Sequence, residues 1–415
     1  MENNYWIVNE WLIFKPKFNE ELSKYYSIIN KYKKIMFSNY NDPLIAIETN
    51  NEYKNKYHTN YIKSEFNQES EFNQEIDLSN NINLTHLTFG DNFNKKIDLS
   101  NNINLTHLTF GYCFNKKIDL LNNINLTHLI FGDIFNQKLN LSNNINLTHL
   151  TFKDNFNKKI DLSNNIHLTH LTFRNDFDQK IDLSKNINLT HLTFRWNFNQ
   201  EIDLSNNINL THLTFGMNFN QEINLSSNIN LTHLTFGMNF NQKINLSKNI
   251  NLTHLTFGYY FNQKIDLLNN INLTHLTFGY WFNQKIDLLN NINLTHLTFG
   301  SNFNQEIIIP LNVKSLNMCE CNNQYVIDNL HNNIEELIIF ETDLILDNLP
   351  NSIKKLYINE YGKELNNLPN SIEYLELNDY YLKIKKIPKN LKTVKCDKEY
   401  EYINDFKNYE VINYY

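Results

Sequence analysis

Eleven histidines, His86, His107, His128, His149, His170, His191, His212, His233, His254, His275 and His296, lie 21 residues apart. Imidazole titrates near neutral pH, binds metals and carries protons, so such a row invites three readings. Catalysis needs a carboxylate or nucleophile placed beside one histidine differently from the rest, and every copy repeats nearly the same Thr-His-Leu-Thr frame. Metal binding needs two rings within reach of one ion, which stacking at strand spacing could provide. A copied surface needs neither, because near-identical tandem copies inherit their residues together. The copied surface is the expectation, with no catalytic residue, metal or cofactor assigned.

The remaining chemistry is sparse. Cys113, Cys319, Cys321 and Cys396 are too few and too unevenly placed for a disulfide framework, and no second pair accompanies Cys319 and Cys321 to complete a zinc site. A formal net charge of −7 without a block of Lys or Arg leaves no electrostatic footprint for nucleic acid or an anionic membrane. No apolar run approaches the roughly 18 residues of a membrane span, and the start "MENNYWIVNEWLIF" lacks a basic segment and a small-residue cleavage site. Asn-Leu-Thr recurs in ten copies, His167-Leu168-Thr169 being the exception. Glycans on stacked strands would block packing, so an intracellular protein is predicted.

What must position the histidines is the repeat itself. Phe72, Phe93, Phe114 and their successors to Phe303 keep the same 21-residue period, the signature of a solenoid. In the copy from Phe93, the apolar residues Phe93, Ile97, Leu99, Ile103, Leu105, Leu108 and Phe110 follow steps that sustain no helix. Leu105 to Phe110 reads as a short strand, Ile97 to Leu99 as a second extended piece, and Ser100-Asn101-Asn102 as a turn. One copy buries nothing alone, whereas stacking at about 4.8 Å superposes equivalent Phe, Ile and Leu and pairs the strands in parallel. Asn94 and Asn115 could form a ladder along the stack, with Asp178 as an acidic replacement.

Beyond Phe303 the period shortens. "LHNNIEELII", "LPNSIKKLYI", "LPNSIEYLEL" and "IPKNLKTVKC" begin 19 residues apart, preceded by "IPLNVKSLNM". The Leu-x-x-Leu-x-Phe core resembles the strand segment of leucine-rich repeats. The "FNQKI" and "FNQEI" starts with these variants resemble the FNIP repeat, a leucine-rich-repeat relative found in social amoebae and in giant viruses that infect amoebae. The resemblance covers about residues 66 to 396, although the central copies carry Leu-Ser or Leu-Leu where the family has Leu-Pro. It implies a mostly β, leucine-rich-repeat-like solenoid that binds another protein, without enzymatic activity. It also implies the host cytoplasm, if the protein is viral.

The predicted organisation is a segment of residues 1–65, 21-residue coils over 66–308, 19-residue coils over 309–396, and a tail over 397–415. "NEELSKYYSIINKYKKIMF" puts Leu22, Tyr25, Ile28 or Ile29, Tyr32 and Ile35 or Met36 on one helical face with Asn19 as N-cap. Residues 1–65 are therefore expected to be a small helical cap. Because some FNIP proteins carry an N-terminal F-box, the resemblance adds an alternative: a ubiquitin-ligase substrate receptor that recruits a Skp1-like adaptor. The Leu-Pro start and Leu/Ile spacing of an F-box are missing.

The copies differ most in the three residues after the strand Phe. The first is Gly in eight copies but Lys153, Arg174 and Arg195 in three consecutive ones. The next column presents Trp196, Met217, Met238, Tyr259 and Tyr280 in five successive copies, beside Tyr260 and Trp281. These residue types are enriched in interface cores. The column either binds a partner or covers the solenoid edge; partner binding is the assignment made, on a chain expected to be monomeric.

Overall fold

The computed structural model describes residues 4–50 and 70–414, in two compact units, Met1–Leu210 and Thr211–Tyr415. Each is a parallel β-solenoid, taken in turn below.

In the first unit each of these copies contributes a three- or four-residue strand: His86–Thr88, His107–Thr109, His128–Phe131, His149–Phe152, His170–Phe173 and His191–Phe194. Adjacent strands pair in parallel and in register, histidine against histidine and leucine against leucine. Alternation along the strand sends Leu108 and Phe110 inward, where they join Phe93, Leu99 and Leu105 at 0–1% exposure. The Phe rings form a double column, 3.9 Å apart within a coil (Phe89–Phe93) and 6.0 Å between coils (Phe93–Phe114). Truncating such a ring to alanine costs about 3–5 kcal/mol.

The expected Asn94 ladder is present: Asn94 Oδ1 accepts the backbone N–H of Asn115 at 3.0 Å, and Asp178 Oδ1 serves Asn199 equally at 2.9 Å. A second ladder carries more of the fold. Asn102, the last residue of the turn, is fully buried, and its Nδ2 donates to the carbonyls of Leu78 (3.0 Å) and Asn81 (2.8 Å) in the preceding coil. A β-arc without regular pairing thereby satisfies carbonyls that burial would otherwise orphan. Its neighbour Ile103, counted with the apolar core in sequence, is 51% exposed. The extended piece expected at Ile97–Leu99 forms no strand, although Leu99 packs inside.

Residues 4–50 differ from the helix expected there. Leu22–Tyr25 make a 3₁₀ turn and Tyr26–Ile29 a single α-turn, and Asn19 caps neither. Lys34–Phe37 is a strand, paired in parallel with Trp11–Phe14 on one side and with His86–Thr88 on the other. Ile35 and Phe37 are buried, and Phe37 stacks 3.9 Å from Phe72. Long-range burial thus overrides the local helical period. Tyr5–Val8 then folds back antiparallel on Trp11–Phe14, and a helix at Pro43–Asn50 brings Ala46 against Trp11, Ile13 and Met36. The described part of 1–65 is thus solenoid coil with a hairpin, not a separate helical module. The rest of that segment lies outside the described residues.

The second unit repeats the coil from His212–Thr214 to His296–Thr298, then continues through Ser315–Cys319, Glu336–Phe340, Lys355–Asn359, Tyr374–Asn378 and Thr393–Cys396. Lys355, Tyr374 and Thr393 pair in register at the 19-residue step. Here the strand flank that carries threonine in the longer coils bears alternating charge, Lys314–Glu335 at 3.1 Å and Glu335–Lys354 at 2.8 Å. The tail contributes a further strand, Glu410–Asn413, parallel to Thr393–Cys396.

Candidate partner-binding surface

The outward strand positions carry His and Thr. In the first unit each imidazole stacks on the next, with centroids 4.1–4.3 Å apart from His86 to His191. Thr106 Oγ1 lies 2.9 Å from His107 Nδ1 and also bonds the Thr85 carbonyl at 2.9 Å. A hydroxyl has one proton, and the carbonyl, an acceptor only, must receive it. The Nδ1–H of His107 therefore donates to Thr106, and Nε2 is the acceptor nitrogen, an assignment made from the network. The first ring, His86, meets the edge of Trp11 at 5.5 Å.

This environment disfavours the charged form of several of these rings. Burial, then neighbouring imidazoles, pulls His86 and His149 down to about 3 and His128 to about 4. In the second unit burial and His296 pull His275 to about 4. Stacked rings point their in-plane lone pairs side by side rather than toward one point. Among the described residues no group of three or more His, Cys, Asp or Glu could hold a metal ion.

The column after the strand Phe is governed by backbone proximity. A Cβ on Gly111 would stand 2.3 Å from the Gly90 carbonyl oxygen, and one on Gly132 would stand 1.7 Å from that of Gly111. None of the described glycines has a positive φ, so close approach, not turn conformation, selects them. Where Lys153, Arg174 and Arg195 replace glycine, the strands run through the Phe, and the N–H groups of Arg174 and Arg195 bond the Phe152 and Phe173 carbonyls. Lys153 and Arg174 are half-buried and Arg195 is exposed. Lys153 pairs with Asp133 at 3.4 Å. Burial and Asp133 raise the Asp154 carboxyl, against the pull of Arg174, Lys153 and Arg195. Lys153 is thus paired with an acid, and Arg174 and Arg195 lie within electrostatic reach of Asp154.

The stripe expected over five copies falls on both units. Trp196 belongs to the first, 54% exposed beside Arg195. In the second, Met217 and Tyr280 are half-buried, while Met238 (39%), Tyr259 (38%), Tyr260 (45%) and Trp281 (47%) are exposed. Tyr259 and Tyr280 stack at 4.6 Å and 14°, Tyr260 sets its edge on Tyr259 at 4.9 Å, and Trp281 tilts against Tyr280 at 5.7 Å. The backbone holds them in register: the N–H groups of Asn239, Tyr260 and Trp281 bond the carbonyls of Met217, Met238 and Tyr259. The result is a partly exposed surface of stacked aromatic rings. The outward Ile103 column was missed in the sequence, because hydropathy places isoleucine in the core.

Repeated coils with inward Leu and Phe, a short parallel strand on one side and an Asn-bonded arc on the other define a leucine-rich-repeat-type solenoid. A model of the FNIP repeat matches residues 340–380. Among solved structures, the viral protein CroV588, described as a novel circular LRR protein, is 30% identical with a TM-score of 0.62, over 95% of this chain and 67% of its own. The functional domain of InlJ from Listeria monocytogenes is 20% identical with a TM-score of 0.57, over 80% and 73%. The LRR protein LIC12759 of Leptospira interrogans is 13% identical with a TM-score of 0.50, over 82% and 93%. These last two likenesses show the fold alone. No curated protein sequence matches. The chain belongs to the FNIP-repeat proteins of the leucine-rich-repeat class. None of the helices among its described residues is long and apolar enough to cross a membrane.

Proposed function

We propose that the chain is a non-enzymatic protein–protein interaction scaffold whose partner docks on Met238, Tyr259, Tyr260, Tyr280 and Trp281. The observation that supports this most is the Tyr259–Tyr280 stack, 4.6 Å apart with Tyr259 still 38% exposed. A core residue would have lost that exposure, and simple copying does not give the column, whose equivalents Asp91, Asp133 and Asp154 are acidic while Tyr112 is again an exposed tyrosine. Rigid tyrosines and tryptophans offer large contact area at low ordering cost, which is why they dominate binding energy at interfaces. Arg195 and Trp196 of the first unit are a second contact region by the same reasoning.

The test is capture of a partner on the full chain, followed by titration of that partner against Tyr259→Ala/Trp281→Ala. Weakening of about tenfold to a thousandfold, with the melting temperature unchanged, supports the reading. Equal affinity refutes it.

A further inference from the structure

We infer that the first unit carries a self-association surface, the isoleucine ridge on its turn side, and that its occupant is a second copy of this chain. From Ile82 to Ile208 every 21st residue is an isoleucine, and each is between 45% (Ile166) and 56% (Ile82) exposed. Column residues next in sequence fix the ridge: Asn104 Nδ2 bonds the Ile82 carbonyl at 2.9 Å, and Asn188 Nδ2 the Ile166 carbonyl at 2.9 Å. The ridge is therefore preorganised, and docking on it orders little that is mobile.

Three observations select a second copy over another occupant. A row of identical β-branched side chains at strand spacing is complementary to the same row run antiparallel and offset by half a step, the dry interdigitation of a steric zipper. Its flanks, such as Asn101 and Asn104, are exposed and uncharged, with Lys185 and His167 as exceptions. Two copies of a chain with net charge −7 thus meet along a strip nearly free of like-charge repulsion. Seven half-exposed isoleucines on each copy would bring together roughly 1,200 Å² of mostly apolar surface, which reaches the size of a specific interface. Roughly 600 Å² on one copy is the upper end of what monomers expose. The inference departs from the monomer expected in sequence, and it is independent of the aromatic stripe.

Sedimentation velocity of the full chain, from low micromolar to about 200 µM, tests it. The expected result is a concentration-dependent monomer–dimer shift that Ile145→Thr/Ile166→Thr/Ile187→Thr weakens at least tenfold, at an unchanged melting temperature. Ile166→Lys, a single exposed change, should have the same effect by placing charge in the zipper and decides the matter if the triple variant unfolds. A wild-type chain that stays monomeric over the whole range overturns the inference. So does a folded variant that associates as the wild type does.

Discussion

Asn144 Nδ2 donates at 2.9 Å to the carbonyl oxygen of Asn123, its equivalent one coil earlier, and at 2.9 Å to that of Leu120. One fully buried amide thus satisfies two buried carbonyls. Asn144→Ala should destabilise the chain by about 1–3 kcal/mol or more, because the acceptors lose their partner without regaining water. Asn143→Ala removes an exposed bond to the Leu121 carbonyl and should cost under about 0.5 kcal/mol. Urea denaturation followed by circular dichroism separates the two; equal midpoints would remove the buried ladder from the account.

That ladder also marks how far the sequence could be read. Leu99, Leu105, Leu108, Phe93 and Phe110 repeat with the coil, so the solenoid and its core were legible from period and residue type. Asn102 and Ile103 were not, because hydropathy assigns the amide to solvent and the isoleucine to the core. Only the two carbonyls of the previous coil reverse that order. Lys34–Phe37 failed for a related reason: its helical period is local, while the pairing with Trp11–Phe14 and His86–Thr88 is not. The variable column was legible as variable, but its division by glycine depends on a backbone approach visible only in three dimensions.

Glycine in that column is required by contact. Gly132→Ala sets a methyl 1.7 Å from the Gly111 carbonyl oxygen, where backbone must move. The expected cost is about 1–3 kcal/mol, typical of overpacking. Arg174→Ala, in a coil already shifted to accommodate a side chain, should be far milder. Thermal unfolding of both variants checks the contrast, and a harmless Gly132→Ala would refute it.

The histidine row makes the fold sensitive to acid. Burial holds His128 at about 4 and His149 at about 3, below the ordinary 6.5 of an unfolded chain. Above pH 6.5 neither state binds these protons and the row costs nothing. As the pH falls from 6.5 toward 4 and 3, the unfolded chain binds protons that the folded chain excludes, so stability declines. The melting temperature should therefore drop across that window, and less steeply in His107→Thr/His149→Thr. Superimposable pH profiles would mean that the buried rings do not govern the response.

A coil is the unit of tolerance to deletion. Removing residues 114–134 joins Cys113 to Phe135 and preserves every column, so the shortened chain should fold. Removing about half as many residues misaligns strands, turns and Phe stacks together. Circular dichroism and proteolysis should report a folded first product and a disrupted second. Equal damage in both would contradict independent stacking.

The central claim is that the aromatic surface of the second unit binds another protein. Its most direct measurement is the affinity of a captured partner for the wild-type chain and for Tyr259→Ala/Trp281→Ala, with melting temperatures recorded on the same samples. A loss of about 1–4 kcal/mol in binding with the melting temperature retained is the expected result. Unchanged affinity in a folded double variant, or a fall in melting temperature that accounts for the loss, would contradict it.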